Sequence, residues 1–303
     1  MIRAAAKLLQ ILLNDISLIK RLKVSFPWLS DNPIKVSWRK GLYYFTSIFR
    51  LIFGLSKPVL VTRTFLGLAP EDFKQVKLRG RGLNIDVRGR MDLWSVKETF
   101  LDKFYVHYGF PLQDGWQVID IGAGLGEFSL DAAQGNPKSR IYAFEPFPAS
   151  YKLLQTNIKQ NGLANIQAFN QAIGAERGSL HLDLSEEEPL KIRGLDKDYE
   201  EGIEVPALTL ADVFEQLPLQ QCDLLKLDCE GAEYAILFNA PPETLEKMQR
   251  IVMEYHDGMT EHTHKELVSF LEDRGFSVET FSNYVHKNLG YLRARRIGGD
   301  CSG

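Results

Sequence analysis

Cysteine is scarce: the 303 residues carry three, Cys222, Cys229 and Cys301. An odd number without metal spacing excludes a disulfide framework and a thiolate zinc site, so reduced thiols in a cytoplasmic protein are expected. The six histidines, His107, His181, His256, His262, His264 and His286, include no His-x-x-x-His pair on a helix, so no metal is expected from that motif. Long apolar runs are missing as well. In the aromatic stretch after Ser37 the longest uncharged run, 41–49, falls far short of the ~18–20 residues a bilayer span needs. Arg3 and Lys7 precede an apolar run at 8–13 that is too short for an export signal, and no small-residue cleavage pattern follows Asp15, so export is not expected. Internal repeats and low-complexity tracts are absent too.

What is present is concentrated in Val118-Ile119-Asp120-Ile121-Gly122-Ala123-Gly124-Leu125-Gly126-Glu127-Phe128-Ser129-Leu130. This reads as a buried strand, an acid at its end, glycines at alternate positions, then an apolar helix. Such a turn lets backbone approach a ligand closely, and the free N–H groups at the helix start face it. The Gly-x-Gly-x-Gly spacing lacks the third glycine of a Gly-x-Gly-x-x-Gly pyrophosphate loop. No Lys-Ser/Thr pair follows to make a P-loop. Asp120, two residues before the first glycine, suits a ligand with a positive amino group. The combination points to S-adenosylmethionine rather than NAD or ATP. One βαβ unit downstream, Ile141-Tyr142-Ala143-Phe144-Glu145-Pro146 ends in an acid placed to accept hydrogen bonds from two ribose hydroxyls. The plain alternatives are a structural turn for the glycines and a helix-dipole role for Glu145.

A third landmark, Asp223-Leu224-Leu225-Lys226-Leu227-Asp228-Cys229-Glu230-Gly231-Ala232-Glu233, is another apolar strand running into acids and a glycine. Together with residues 118–130, Phe144-Glu145-Pro146 and Ala172-Ile173-Gly174, it resembles the FkbM family of S-adenosylmethionine-dependent methyltransferases. The resemblance covers roughly residues 95 to 285, and Lys-x-Asp-x-Glu-Gly-x-Glu is its most specific part. Ala123 departs from the Asn often found inside the glycine loop, and Glu127 from an aromatic or small residue. Neither departure removes a glycine or Asp120. The resemblance implies a class I methyltransferase-like α/β fold, a doubly wound and mostly parallel sheet with a closing antiparallel strand. It further implies O-methyl transfer to a sugar, glycan, glycolipid or natural-product hydroxyl. Cofactor contacts are expected at Asp120, Gly122, Ala123, Gly124, Gly126, Glu145, Pro146, Ala172 and Asp228.

Apolar residues at 45% and charged residues at 25% leave ample material for a core. The net charge of −3 is unevenly divided: residues 1–63 hold 11 Lys/Arg against 2 Asp/Glu, leaving −12 on the rest. Such asymmetry suits an anionic surface or the protein's own acidic face. The expected organisation is a basic amphipathic helical extension over 1–70, a methyltransferase domain over 71–297, and a tail at 298–303. Within the extension, helical spacing marks residues 2–24, and Ser37 stands as the cap of a helix to about Phe53, stopped by Gly54 and Pro58. That helix is expected either to lie on an anionic membrane or to pack on the domain or at a homodimer seam. Alternation around Gly80-Arg81-Gly82 predicts a hairpin, and Asp92 is expected to cap a helix ending at Gly109-Phe110-Pro111.

From Gln117 strands and helices alternate, which predicts a mostly parallel sheet covered on both faces. Strands are expected at 117–121, 140–144, 166–170, 179–184, 205–208, 223–228 and 250–255, with a closing hairpin at 277–280 and 291–295. Thr263-x-x-Glu266 forms a capping box. The charged run 185–204 reads as a solvated loop or an acceptor lid. Glu233 is expected to serve only the start of a helix. For catalysis, His256 is the expected base, its ordinary pKa lying near neutrality, with Asp228 and Glu230 positioning acceptor or cofactor and no metal taking part; the alternative, on ligand types alone, is that Asp228, Glu230, Glu254 and His256 hold a divalent metal. A cofactor-binding scaffold without catalysis is the alternative, but it has no need of Asp228, Glu230, Glu254 and His256 at strand ends. Nucleic-acid methylation is not expected, since no Asn/Asp-Pro-Pro-aromatic element follows the fourth strand.

Overall fold

A computed structural model describes residues 38–66, 68, 74–183, 202–283 and 288–298. The expected helix at 2–24, the capping role of Ser37, His286, and most of the 185–204 run lie outside the described residues. The chain divides into two compact units, one ending at Leu101 and the other starting at Asp102.

In the first unit, α1 (Trp38–Gly54) and α2 (Pro58–Phe65) are separated by Gly54 and by Pro58, which cannot continue a helix but opens one. Leu51, Leu55, Val61 and Phe65 are buried. The expected hairpin forms from β1 (Lys74–Lys77) and β2 (Asn84–Val87), paired antiparallel with Val76 opposite Ile85, both buried. The next helix, α3 (Arg90–Val96), is capped by Gly89, not by Asp92. Asp92 sits within the first turn and takes the backbone N–H of Arg88 at 2.7 Å and its guanidinium at 2.8 and 2.9 Å. Fully buried Lys97 is held over the rings of Tyr43 and Trp94, 4.1 and 4.0 Å from their centroids. The helix expected to run on to Gly109 is broken. It widens to a π-helical turn at Lys97–Leu101, and after Lys103, which takes φ +55°, a second π-helical turn spans Tyr105–Gly109.

The second unit continues with β3 (Gln117–Ile121), α4 (Glu127–Gly135), β4 (Arg140–Phe144), α5 (Pro148–Gln160), β5 (Ile166–Phe169), β6 (Ala172–Ile173), β7 (Gly178–Asp183) and β8 (Gly202–Leu208). It closes with α6 (Leu210–Gln216), β9 (Leu224–Leu227), α7 (Ala232–Phe238), α8 (Pro242–Glu246), β10 (Arg250–His256), α9 (His264–Glu272), β11 (Phe276–Ser282) and β12 (Leu289–Arg296). Seven strands form one sheet in the order β11-β12-β10-β9-β3-β4-β5, parallel except for β12, which runs antiparallel to both neighbours. This is the expected doubly wound sheet with its closing hairpin. All four residues of β9 are buried, as are four of five in β3 and β4, which is why those strands read as unbroken apolar runs. Ile119, Leu225, Val252 and Met253 have no exposed surface, and each such side chain contributes ~1.5–3 kcal/mol by burial.

One expectation fails in the middle of the chain. β6, β7 and β8 do not join the main sheet but form a separate three-stranded one, in the order β6-β8-β7. In β8 Val205 and Ala207 are buried while Pro206 between them is exposed. A strand with one apolar face fits a sheet packed on one side, not the doubly covered interior. The Thr263–Glu266 capping box forms as expected, and Thr209 with Asp212 makes a second, unforeseen one. Among the described residues, no helix is long and apolar enough to cross a membrane.

From β3 the chain winds outward through β4 and β5, then returns to place β9 on the other side of β3. Sheet order reverses there, so the carboxyl ends of β3 and β9 flank the natural ligand crevice.

Candidate active site

At the end of β3 the backbone turns on Gly122, at φ +73°, where an added Cβ would lie 1.9 Å from the carbonyl oxygen of Asp228. Only glycine lets this loop lie against the end of β9. The amides of Gly122 and Ala123 both donate to the Phe144 carbonyl at 3.0 Å, tying the loop to β4. The Gly124 amide donates to Glu145 Oε2 at 2.7 Å, and Gly126 caps α4. Glu145 is 1% exposed, and its Oε1 accepts the Phe147 amide at 2.9 Å. Burial pushes its pKa up to about 7, with the two amides and Lys226 pulling the other way.

A crevice opens here, lined by Gly122, Phe144, Glu145, Pro146, Phe147, Ala172, Ile173, Leu182 and Asp228. The crevice sets an apolar slot beside a glycine loop and a buried carboxylate, and Glu145 keeps lone pairs free to accept further hydrogen bonds. Of the expected cofactor residues, Gly122, Glu145, Pro146, Ala172 and Asp228 line this crevice, and Ala123, Gly124 and Gly126 complete its loop.

Asp120 stands apart from them. It has no exposed surface, pairs with Lys226 Nζ at 3.0 Å and accepts the Ser129 hydroxyl at 2.7 Å. Asp120 thus stands behind the loop, its carboxylate engaged by Lys226 and Ser129. Lys226, itself buried, donates to the Gly122 carbonyl at 2.7 Å and so carries the anchor to the turn. Burial works against its charge, but Asp120 foremost, with Asp228 and Glu127, raises its pKa above the ordinary lysine value.

Beyond the crevice lies a cluster of acids. Asp228 Oδ2 accepts the Tyr105 hydroxyl at 2.7 Å, and Tyr105 stands edge-on to Phe128 with centroids 5.1 Å apart. Burial and the charge of Asp228 push the phenol pKa well up, so Tyr105 remains a donor. Glu230 takes a left-handed conformation, φ +51°, before Gly231 caps α7. That turn sets Glu230 Oε2 3.4 Å from His256 Nε2. Glu233, fully buried, accepts the amides of Cys229 and Gly231 at 2.7 Å each and lies 3.3 Å from His256 Nδ1. It therefore does more than serve a helix start, as it also backs the histidine.

His256 is 4% exposed at the end of β10. Burial alone lowers an imidazole pKa, but Glu233 first, then Glu230 and Asp228, outweigh it and lift this one to about 10. Both ring nitrogens of His256 thus face carboxylates, which hold its pKa above the ordinary imidazole value. Glu254 stands two residues earlier on the same strand face. One donor atom each from Asp228, Glu254 and His256 lie within 4.8 Å of one another.

Sequence reading located the acids but missed Tyr105, whose only local signal was the stop at Gly109-Phe110-Pro111. The remaining described histidines do other work. His264 pairs with Asp257 at 2.5 Å and stacks on Tyr255, His262 lies against Phe238, and His107 Nδ1 is 2.8 Å from the Asp102 carbonyl.

The model of the methyltransferase FkbM domain matches residues 120–278, over half of the chain. The 31-O-demethyl-FK506 methyltransferase FkbM of Streptomyces tacrolimicus is 26% identical over 234 residues, covering 67% of this chain and 89% of that protein. Methyltransferase 1 of Beauveria bassiana is 28% identical over 202 residues, covering 60% and 80%. Methyltransferase sdnD of Sordaria araneosa is 29% identical over 232 residues, covering 66% and 88%.

Proposed function

Because the chain belongs to the FkbM methyltransferase family, whose cofactor is S-adenosylmethionine, we propose that it methylates a hydroxyl oxygen of a sugar, glycolipid or natural-product acceptor. The observation that carries this reading is the position of Asp228. Its carbonyl backs the glycine turn, its residue lines the cofactor crevice, and its carboxylate belongs to the acid cluster beyond. One residue thus borders both the methyl donor and the place where an acceptor must stand. The printed name of the Streptomyces relative, which places its reaction at a 31-O position, supports oxygen as the acceptor atom.

S-adenosylmethionine supplies an electrophilic methyl on a positively charged sulfur. The chain's own task is to hold, align and deprotonate. Glu145 holds the ribose hydroxyls, Pro146 and Ala172 flank the base, and the loop 122–126 supports the remainder. Asp228, fixed by Tyr105, accepts a hydrogen bond from the acceptor hydroxyl. The carboxylates of the cluster take its proton as the oxygen–methyl bond forms and the sulfur–methyl bond breaks. Glu230 and His256 position the acceptor. Residues 1–63, with their basic excess, supply a peripheral contact to an anionic membrane surface, to which exposed Phe53 and Val59 add apolar area.

The test is mass spectrometry after incubation with methyl-deuterated cofactor and a panel of hydroxylated sugars and macrolide-like alcohols. A labelled methyl ether is expected, and Asp228→Asn should lower kcat ~10²–10⁴-fold. Label found only on nitrogen or in a base-labile methyl ester would overturn the hydroxyl reading.

A further inference from the structure

We propose that Asp228, Glu254 and His256 form a divalent-cation site of the Mn²⁺ class that grips an acceptor bearing a second oxygen beside the hydroxyl to be methylated, an inference that rests on the methyltransferase reading above. β9 and β10 are adjacent and parallel, with Leu227 beside Met253, so their carboxyl ends deliver side chains to one spot. Asp228 follows β9 directly, and Glu254 and His256 share one face of β10. The three donor atoms lie within 4.8 Å of one another, so side-chain rotation that draws them together brings them within reach of metal–ligand bonds of about 2.0–2.3 Å. Two carboxylate oxygens and one imidazole nitrogen suit Mn²⁺ better than thiophilic metals.

A second observation points the same way. His256 is more than nine-tenths buried, yet its Nδ1 makes no well-aligned hydrogen bond. The carboxylate facing that nitrogen, Glu233 Oε1, stands 3.3 Å away and is itself fixed by the Cys229 and Gly231 amides. A rigid buried carboxylate behind an imidazole is the arrangement that orients a metal-ligating histidine, and an ion at Nε2 would displace Glu230 Oε2, which stands 3.4 Å from that nitrogen. Charge agrees with this placement. Asp228 and Glu254 meet at His256, which Glu230 and Glu233 also face, and the nearby cation Lys226 is already paired with Asp120.

Three protein donors leave open positions in a six-coordinate shell. Two adjacent acceptor oxygens, as in a vicinal diol or an α-hydroxy acid, would fill them, which narrows the acceptor class. The hydroxyl proton still leaves to the cluster, where Glu230 lies outside the donor set.

Full-length protein freed of metal with EDTA and dialysed is titrated with Mn²⁺ without cofactor, and free ion is read by electron paramagnetic resonance. One saturable site per chain is expected. Glu254→Gln should weaken it at least ~10-fold while cofactor affinity is kept, and Glu233→Gln, which removes no donor, should weaken it ~10–100-fold. Diol methylation should stop in EDTA and return with Mn²⁺. Absence of stoichiometric binding, or binding untouched by Glu254→Gln, overturns the site. Methyl transfer that persists in EDTA without Mn²⁺ binding removes the cation and leaves the methyltransferase reading standing. Mn²⁺ binding with this variant pattern but no methylated acceptor does the reverse.

Discussion

Glu145 combines near-complete burial with two backbone amide bonds, and the balance sets its proton. Its folded-state pKa of about 7 lies above the ordinary carboxylate value of 4.5, so between these pH values the folded protein keeps a proton that the unfolded chain has released. The stability tied to this group is therefore present below about pH 4.5 and lost as pH rises through 7, by ~3 kcal/mol. Urea midpoints of the ligand-free protein should fall between about pH 5 and 8, and Glu145→Gln should remove most of that slope. Cofactor binding should run the opposite way, because ribose hydroxyls donate best to the ionised carboxylate. Affinity should rise with pH through 7, and calorimetry in two buffers of different ionisation enthalpy should show proton release on binding. No release near pH 7 would mean that Glu145 is ionised throughout. Residues of this kind were legible in part. Acids at strand ends announce themselves, because an acid closing an apolar run needs a partner. Which partner it finds is a tertiary matter: Tyr105 reaches Asp228 across 123 positions, and Glu233 meets His256 only once both are buried. The sequence alone therefore could not show that two carboxylates face His256.

The strand–turn–helix around β3 and α4 gives a sharper test at the scale of an element, since its glycines do different work. At Gly122 a Cβ would strike the Asp228 backbone, so Gly122→Ala must displace β9 as well as pay left-handed strain, about 2–5 kcal/mol together. At Gly124, φ +56°, the nearest atoms to a Cβ are the Glu127 carboxylate oxygens at 3.6 Å, so Gly124→Ala should cost only ~1–2 kcal/mol from backbone strain. Denaturant titration of the two variants should separate them, with Gly124→Ala folded and its main loss in cofactor affinity. Equal destabilisation would show that the close approach to β9 is not what fixes Gly122. The same element was the most legible part of the fold, because β3, β4 and β9 are buried on both faces and their apolar runs leave one reading. The broken helix after Val96 was not legible. Left-handed Lys103 and the first π-helical turn leave no glycine or proline in the sequence to mark the break, and Gly109 marks only the end of the second turn. The side sheet was legible as strands but not as pairing, since alternation at Val205 and Ala207 names a face and not a neighbour.

Over the whole molecule the dominant feature is the division of charge, +9 on residues 1–63 against −12 on the remainder. Opposed fields of this size act beyond individual contacts, and the proposed peripheral contact rests on attraction of the basic segment to an anionic surface. Apolar contact is available in the same segment. Phe53 at the end of α1 is 59% exposed and Val59 at the start of α2 is 73% exposed, whereas their neighbours Leu51, Leu55 and Phe65 are buried. A peripheral membrane contact needs both parts, because charge attracts and apolar side chains insert. The full-length protein should therefore float with phosphatidylserine-containing liposomes at about 50 mM salt and be released near 500 mM, as screening shortens the reach of the field. Phosphatidylcholine vesicles should not bind it. Replacing Phe53 and Val59 together by Ser should weaken flotation at low salt while leaving the thermal melt unchanged, since neither side chain contributes to the core. Indifference of the intact protein to anionic vesicles at low salt would rule out the membrane role and assign the basic segment to the protein's own acidic face or to a second copy of the chain.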